Sequence, residues 1–371
     1  MSLRKTEYIK NLEQAPKAAL ATGFQKCIAN PDIINLGTAE NRLIDDILNP
    51  LIKERKDEDV THFSYTFSFN PTPMYEAFAA LFRDYFGLKD ARADQMTDGS
   101  GISSLVEKIA LVLCEPGDVV LIPSPCYGCF EPDMQTSRAK IVYIDLDHLP
   151  EKPPENAKLL LLTNPGNPYG DIISNQVYAL SNRKGVEFTS IAARPDALPD
   201  RVHLFYGVSK DWGMAGLEVG VFWTRNEELL RYMKLAKGCY HLSSDTLFFI
   251  TKVIGTMSIR DNLIKTFQER LIEAYNYFTK RLDDAGIKYK DCDNSLFVVV
   301  DLTDIAGKSI EQELEIWNKL MDEYKLHILP VASGFHGNVP GLFRVLFSVP
   351  KPMLEAGTNA LIKAVTELRA K

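Results

Sequence analysis

Residues 206–219 read YGVSKDWGMAGLEV, and this stretch decides the fold. A β-type run leads into Ser209 and Lys210, and two glycines then open a loop before a second apolar run begins. Lys210 therefore stands where a buried strand ends, and desolvation there lowers the pKa of an amine, so that part of it is neutral and nucleophilic. The chemistry that this favours is an imine with a carbonyl compound, most often pyridoxal phosphate. A surface lysine in a loop is the alternative.

The composition is that of an ordinary globular chain, with 371 residues, 46% hydrophobic and 25% charged, and a formal net charge of −7. No block of basic residues stands out, which argues against nucleic acid and anionic membranes as partners. No apolar run has the length that spans a bilayer, and the polar N-terminus is no secretory signal. Six cysteines in so long a chain predict no disulfide framework, so the cytoplasm is the expected compartment. Cys126 and Cys129 form a C-x-x-C pair that favours incidental thiols over a redox pair, and we expect no metal site.

Strands that alternate with helices through the first two thirds of the chain predict an α/β fold with a mostly parallel, doubly wound sheet. Residues 158–165 are apolar on both faces, as in a parallel strand covered by helices. Beyond this part the chain turns helical and then forms a separate α+β unit. We therefore predict a large domain of residues 46–244 and a small domain of residues 1–45 and 245–371.

Two further stretches are typical of ligand sites. Small residues at 97–101, TDGSG, precede an apolar helix, whose N-terminus would attract phosphate. A plain glycine-rich helix cap is the alternative. Residues 164–170, NPGNPYG, end a predicted strand, at the edge where open α/β sheets bind ligands.

Four motifs occur together in one order: INLGTAENRL at residues 34–43, NPGNPYG at 164–170, GVSKDWGMAGLEVG at 207–220 and FRVLFSVP at 343–350. With them the chain resembles fold-type I pyridoxal-phosphate enzymes of the class I/II aminotransferase family, and most of all the 1-aminocyclopropane-1-carboxylate synthase-like members. The resemblance extends from about residue 30 to the C-terminus.

The resemblance implies how pyridoxal 5′-phosphate (PLP) is bound. Lys210 matches the lysine that forms the imine with the cofactor. Tyr127 matches the aromatic residue that stacks on the pyridine ring, and Asn167 and Tyr178 match the residues that hydrogen-bond its 3-oxygen. The cofactor-binding residues implied in this way are Gly101, Ile102, Ser103, Tyr127, Asn167, Asn175, Tyr178 and Ser209.

The resemblance also implies a substrate side. Arg344 matches the arginine that binds the substrate α-carboxylate as a bidentate fork. A surface ion pair is the alternative, but an arginine inside the apolar run LFRVLF would be costly without an anion. Gly37, Ala39 and Glu40 match the substrate-side loop. Tyr65 is a looser match to a tyrosine that the second subunit lends, which implies a homodimer.

This sequence departs from the family pattern at four places. Asn175 replaces the aspartate that pairs with the pyridine nitrogen, so the ring would be a poorer electron sink. Residues 171–174 alone stand where the family has a helix and a strand, which is too short for a crossover between parallel strands. Glu218 occupies the place of an arginine on the cofactor phosphate, and Gly207 that of a phosphate-binding serine.

The function expected from the resemblance is a PLP-dependent enzyme that acts on an α-amino acid through Lys210. Transamination, with a 2-oxo acid as second substrate, is the leading hypothesis. Elimination to a cyclic amino acid, as in the synthase-like members, is one alternative. The departures leave another alternative open, a catalytically impaired paralogue or shortened form that keeps the fold and serves as a partner subunit.

Overall fold

The computed structural model describes residues 19–53, 71–148, 152–163, 166–169, 180–181, 189–238, 240–292 and 294–370. In chain order its helices are α1 (Ala19–Ala29), α2 (Asp45–Lys53), α3 (Thr72–Tyr85), α4 (Gly101–Leu113), α5 (Phe130–Met134), α6 (Glu227–Lys237), α7 (Ser244–Gly255), α8 (Met257–Asp284), α9 (Thr303–Ala306), α10 (Ile310–Asp322), α11 (Val331–Gly334) and α12 (Lys351–Arg369). Its strands are β1 (Ile34–Asn35), β2 (Met96–Ser100), β3 (Val119–Pro123), β4 (Lys140–Ile144), β5 (Ala157–Leu160), β6 (Leu204–Gly207), β7 (Val219–Trp223), β8 (Tyr289–Lys290), β9 (Phe297–Asp301), β10 (Leu326–His327), β11 (Leu329–Pro330) and β12 (Leu342–Leu346).

The chain divides into two compact units, each built from separate parts of the sequence. The first unit comprises residues 1–39, 113–171 and 272–371, and the second comprises residues 40–112 and 172–271. The domain boundaries that we derive from the sequence, 46–244 with 1–45 and 245–371, stay a prediction. In the described ranges, no helix combines the length and the apolar character that crossing a bilayer needs.

The first unit contains the parallel sheet and the α+β part that the sequence predicts. Strands β4–β3–β5 form one parallel sheet, β1 and β10 pair in parallel in another, and the antiparallel strands lie in the order β11–β12–β9–β8. The prediction that residues 158–165 are buried on both faces is wrong for β5, where Leu160 is 52% exposed. The reason is strand order: β3 is central in this sheet and buried along nearly its whole length, whereas β5 lies at its edge among the described strands.

The second unit contains a three-stranded sheet in the order β2–β7–β6. Strand β7 is antiparallel to both neighbours. Its pairing with β6 follows from the connection, a loop that contains Lys210 and no crossover helix. Helix α3 packs its aromatic side chains Phe78 and Phe82 against Tyr206 of β6, with ring centroids 6.2 Å and 5.8 Å away. The sheet therefore holds the Lys210 loop on a rigid, apolar base.

Candidate functional site

A row of three glycines crosses the sheet of the second unit. Gly220 on β7 pairs with Gly99 on β2 and with Gly207 on β6. A Cβ added at Gly220 would lie 2.7 Å from the backbone carbonyl group of Gly101, so the start of α4 rests directly on the strand. Glycine is needed for this approach, and the row fixes the position of a helix N-terminus, which attracts anions.

The predicted phosphate seat begins at Gly101, which opens α4 with a φ of +73°. Its N–H donates to the backbone carbonyl of Glu218 at 2.6 Å. The Glu218 carboxylate lies there too, with Oε2 2.6 Å from the place that a Cβ on Gly101 would take. A phosphate suits the helix end and the glycine cradle, but a carboxylate repels a phosphate dianion. The helix N-terminus at Gly101 therefore fits the phosphate of PLP, whereas the Glu218 carboxylate disfavours its binding.

Gly207 stands where the family has a serine, and it lies next to the Ile102 side chain. A Cβ at position 207 would lie 3.2 Å from two carbon atoms of the Ile102 side chain and 3.1 Å from the carbonyl oxygen of Val219. A serine at position 207 would therefore require the Ile102 side chain to shift by a few tenths of an ångström. In the same turn Ile102 is half-buried and Ser103 is exposed.

Lys210 lies just beyond the end of β6, as predicted, and Ser209 and Lys210 are both half-buried. A primary amine there can form an imine with the carbonyl carbon of PLP. The lysine therefore fits the cofactor, and its role stays a prediction.

The predicted carboxylate seat in the first unit is built around Arg344 on β12. The side chain is 3% exposed. Its Nη1 donates to Oδ1 of Asn167 at 2.9 Å, and its Nη2 donates to the carbonyl oxygen of Gly37 at 2.6 Å. Three predicted site residues thus come together, and both acceptors are uncharged, so neither neutralises the guanidinium. A fixed, buried guanidinium is suited to a carboxylate ligand.

Two phenyl rings lie against the Arg344 guanidinium. Its central carbon lies 4.6 Å from the ring centroid of Phe297 and 4.8 Å from that of Phe335. Aromatic faces attract a cation. The rings therefore stabilise the buried guanidinium in addition to its hydrogen bonds.

His327 on β10 supports the Gly37 side of this seat. Its ring lies in a slot between Gly23 and Gly37, where a Cβ on Gly37 would come 2.5 Å from Nε2. Burial, then the charges of Arg344 and Lys26, lower the pKa of His327 to about 4. The imidazole is therefore neutral near pH 7 and adds no charge beside Arg344.

Tyr127 lies in the first unit and is half-buried, with its ring edge-on to Phe130 at 5.3 Å. Burial raises the pKa of the neighbouring Cys126 to about 12 and also raises the pKa of Cys129, and the expectation that they are incidental thiols stays a prediction. Both are thus protonated near pH 7, and no described cysteine forms a disulfide. Within the described ranges no group of three or more His, Cys, Asp or Glu side chains could hold a metal ion.

Several predicted site residues are not brought together here. Ala39 and Glu40 are half-buried but fall in different units, with the boundary between them. Tyr65, Asn175 and Tyr178 lie outside the described residues, as do residues 171–174, and their roles stay predictions.

Other residues next to the site were not among the sequence predictions. Phe297 and Phe335 cover the Arg344 fork, and Asp211 is buried directly after Lys210. The position of an aspartate beside a strand-end lysine is the one signal in the sequence that could have indicated Asp211. The two phenylalanines carry no such signal, since they belong to distant apolar strands and turns.

A family model described as "Aminotransferase class I and II" matches residues 31–186 and 172–361. The 1-aminocyclopropane-1-carboxylate synthase CMW33 of Cucurbita maxima is 25% identical over 379 residues, which cover 85% of this chain and 75% of that protein. The N-succinyldiaminopimelate aminotransferase of Mycobacterium tuberculosis has a similar structure, with a TM-score of 0.79, 16% identity and coverage of 97% of this chain and 100% of the other. The aspartate aminotransferase of Thermotoga maritima also has a similar structure, with a TM-score of 0.76, 17% identity and coverage of 98% of this chain and 100% of the other.

Proposed function

This chain belongs to the aminotransferase class I and II family, and we propose that it moves the amino group of an α-amino acid to a 2-oxo acid with PLP as cofactor. The observation that carries the proposal is the buried Arg344 fork, with its uncharged partners Asn167 and Gly37. PLP, when bound, supplies a ring that withdraws electrons and weakens the bonds at the amino acid Cα.

We assign the covalent and proton-transfer roles to Lys210. Its Nζ would hold the cofactor until an incoming amine displaces it. The released amine would then accept the Cα proton and return it at another atom, as a positioned general base and acid. A lysine at a strand end suits both roles, since β6 fixes its backbone while its long side chain can move.

Arg344 would bind the α-carboxylate that all α-amino acids and 2-oxo acids share. Phe297 and Phe335 lie against the guanidinium, and a carboxylate in its plane would meet two parallel N–H donors. Positioning of this kind contributes to catalysis by fixing the orientation of the reacting atoms. The seat would accept both substrates of a transamination and would not discriminate between their side chains.

Elimination to a cyclic amino acid is the second candidate function. The similarity to 1-aminocyclopropane-1-carboxylate synthase CMW33 over most of both chains favours it. The same cofactor and the same carboxylate seat would serve this reaction. The two functions differ in products: only transamination requires a 2-oxo acid.

Amino-group exchange tests the proposed function directly. The purified protein with PLP is incubated with ¹⁵N-labelled amino acids and an unlabelled 2-oxo acid, and products are identified by mass spectrometry. We expect ¹⁵N in the amino acid derived from the 2-oxo acid. A cyclic amino acid formed without the 2-oxo acid would support the elimination instead. If neither product forms at saturating PLP, both enzyme hypotheses fail and the impaired paralogue takes their place.

Replacing Glu218 by arginine should tighten PLP binding by roughly tenfold, because a cation would replace a carboxylate beside the helix N-terminus where phosphate is expected. Glu218→Gln, which only removes the charge, should give a smaller gain. Cofactor affinity is measured by titration of the PLP absorbance. The gain should shrink at high salt, since Glu218 is exposed.

Glu227→Arg makes the same charge change at another exposed position of the second unit and serves as the control. It should leave PLP affinity unchanged. Equal PLP affinity in wild type and in both Glu218 variants would remove position 218 from the phosphate seat.

We also propose that the protein is a homodimer in the cytoplasm. The dimer rests on the resemblance of Tyr65 to a tyrosine supplied by a second subunit. The compartment rests on cysteine usage, because six cysteines in 371 residues predict no disulfide framework.

A further inference from the structure

The side chain after the lysine is a buried carboxylate with three donors. Asp211 is 3% exposed. Its Oδ1 accepts from the hydroxyl of Ser181 at 2.9 Å, and its Oδ2 accepts from the hydroxyl of Tyr206 at 3.0 Å and from the backbone N–H of Leu180 at 3.3 Å. The donors are all neutral and come from two separate segments of the second unit.

The Tyr206 hydroxyl is itself fixed. It accepts a hydrogen bond from Nε1 of Trp212 at 2.9 Å, and both side chains are fully buried. The Tyr206 ring also stands edge-on to Phe86, with centroids 4.9 Å apart. The Asp211 carboxylate is thus bound to an aromatic cluster of Tyr206, Trp212 and Phe86, and this cluster restrains its position.

The backbone on the other side of Asp211 is held as well. Nδ2 of Asn41 donates to the carbonyl oxygen of Asp211 at 3.1 Å, and Oδ1 of Asn41 accepts from the N–H of Leu43. Gly213 has a φ of +63°, and a Cβ there would lie 2.5 Å from the carbonyl oxygen of Asn41. Residues 211–213 are therefore held by three contacts: the Asp211 side chain, the Asp211 carbonyl group, and the close approach of Gly213 to the Asn41 backbone.

Stability alone does not explain a carboxylate at this place. Burial raises the pKa of Asp211 to about 6, even with the three hydrogen bonds. A buried charge with neutral partners is often no more stabilising than an apolar group of the same volume. The gain lies in geometry, because a network of this kind specifies one arrangement of the groups it joins.

We propose that Asp211 is a positioning residue for Lys210. Its carboxylate anchors the backbone directly after the lysine to Tyr206 and to Leu180–Ser181, and so fixes the backbone from which the Lys210 side chain extends. The proposal deepens the proposed function and rests on it for the role of Lys210.

A matched pair of variants separates positioning from stability. Tyr206→Phe removes the hydroxyl that Asp211 accepts from. Tyr75→Phe, in the same unit, removes another buried tyrosine hydroxyl that donates to another buried carboxylate, that of Asp98. Each change keeps the ring. Tyr206→Phe deletes the hydrogen bond to Asp211 and the one from Trp212, and Tyr75→Phe deletes the one to Asp98, so both should lower the melting temperature, Tyr206→Phe by more.

The readout needs no cofactor. Acetic anhydride acetylates lysines in the folded chain without PLP, and mass spectrometry gives the rate at Lys210 relative to the other lysines. We expect Tyr206→Phe to raise the relative rate at Lys210 by roughly threefold to tenfold, because the loop opens more often. Tyr75→Phe should leave it unchanged. Capture of PLP at Lys210 by borohydride should fall by about tenfold in Tyr206→Phe alone.

Equal acetylation of Lys210 in both variants and in wild type overturns the proposal. The acetylation comparison is decisive even if PLP does not bind. Failure of the proposed function would be seen as no PLP capture in wild type, which is a separate result. If Tyr206→Phe does not fold, Ser181→Ala removes a different donor of the same carboxylate and is judged by the same two rates.

Discussion

Alanine in place of Lys210 is expected to abolish covalent capture of PLP. The imine needs a primary amine, and no other atom of the side chain can replace it. Wild type treated with PLP and borohydride should carry one cofactor per chain on the peptide that contains Lys210. The variant should carry none on that peptide, and mass spectrometry of the intact and digested chain measures both.

Two further variants make the result specific. Lys210→Arg keeps the positive charge and the length of the side chain but offers no amine, so it should lose capture equally. Lys252→Ala removes a lysine of α7 that is also half-buried in the second unit, and it should capture PLP as wild type does. Adduct at several lysines in Lys210→Ala, in the amount that wild type shows, would mean that the reaction is non-specific.

Loss of Arg344 should weaken amino-acid binding by roughly 2–5 kcal/mol, which is ~30-fold or more, because a buried carboxylate would lose its charged partner. Arg344→Met is the better variant, since it keeps volume between Phe297 and Phe335 and avoids a cavity. Arg344→Lys should also bind poorly, because an ammonium group keeps the charge but not the planar fork. Calorimetric titration with an amino acid measures the effect.

PLP affinity should stay near the wild-type value in these variants. Arg281→Ala is the matched control in the first unit, since this arginine also donates to an asparagine, Asn359, but is half-buried on α8. Its amino-acid affinity should be that of wild type. An unchanged amino-acid affinity in Arg344→Met would contradict the carboxylate seat.

The elements that carry the site could be predicted because their signals are local. The strand before Lys210, the helix that begins near Gly101 and the buried strand around Arg344 are each encoded by a short run of residue types. The contacts that complete the site could not be predicted in this way. Asn41 reaches Asp211, and Glu218 reaches the start of α4, only because distant segments fold together.

The order of the strands in the sheet also could not be predicted from the sequence. Residues 158–165 have the composition of a central strand, but burial depends on which elements cover a strand, and Leu160 at the edge remains exposed. The sequence did indicate a shortened connection at residues 171–174. The two ranges of the chain that the family model matches overlap at residues 172–186, and the shortened connection stays a prediction.

The carboxylate seat has a consequence for the order in which the protein folds. Arg344 bonds to Asn167 across 177 positions of sequence and to Gly37 across 307. Contacts of such long range form only after the entropy of closing large loops has been overcome, so they belong to slow, late steps. Helices and hairpins can form in a nascent or partly unfolded chain, but the seat needs both ends of the polypeptide. Affinity for the proposed amino acid carboxylate would therefore report completed folding, which secondary structure content does not.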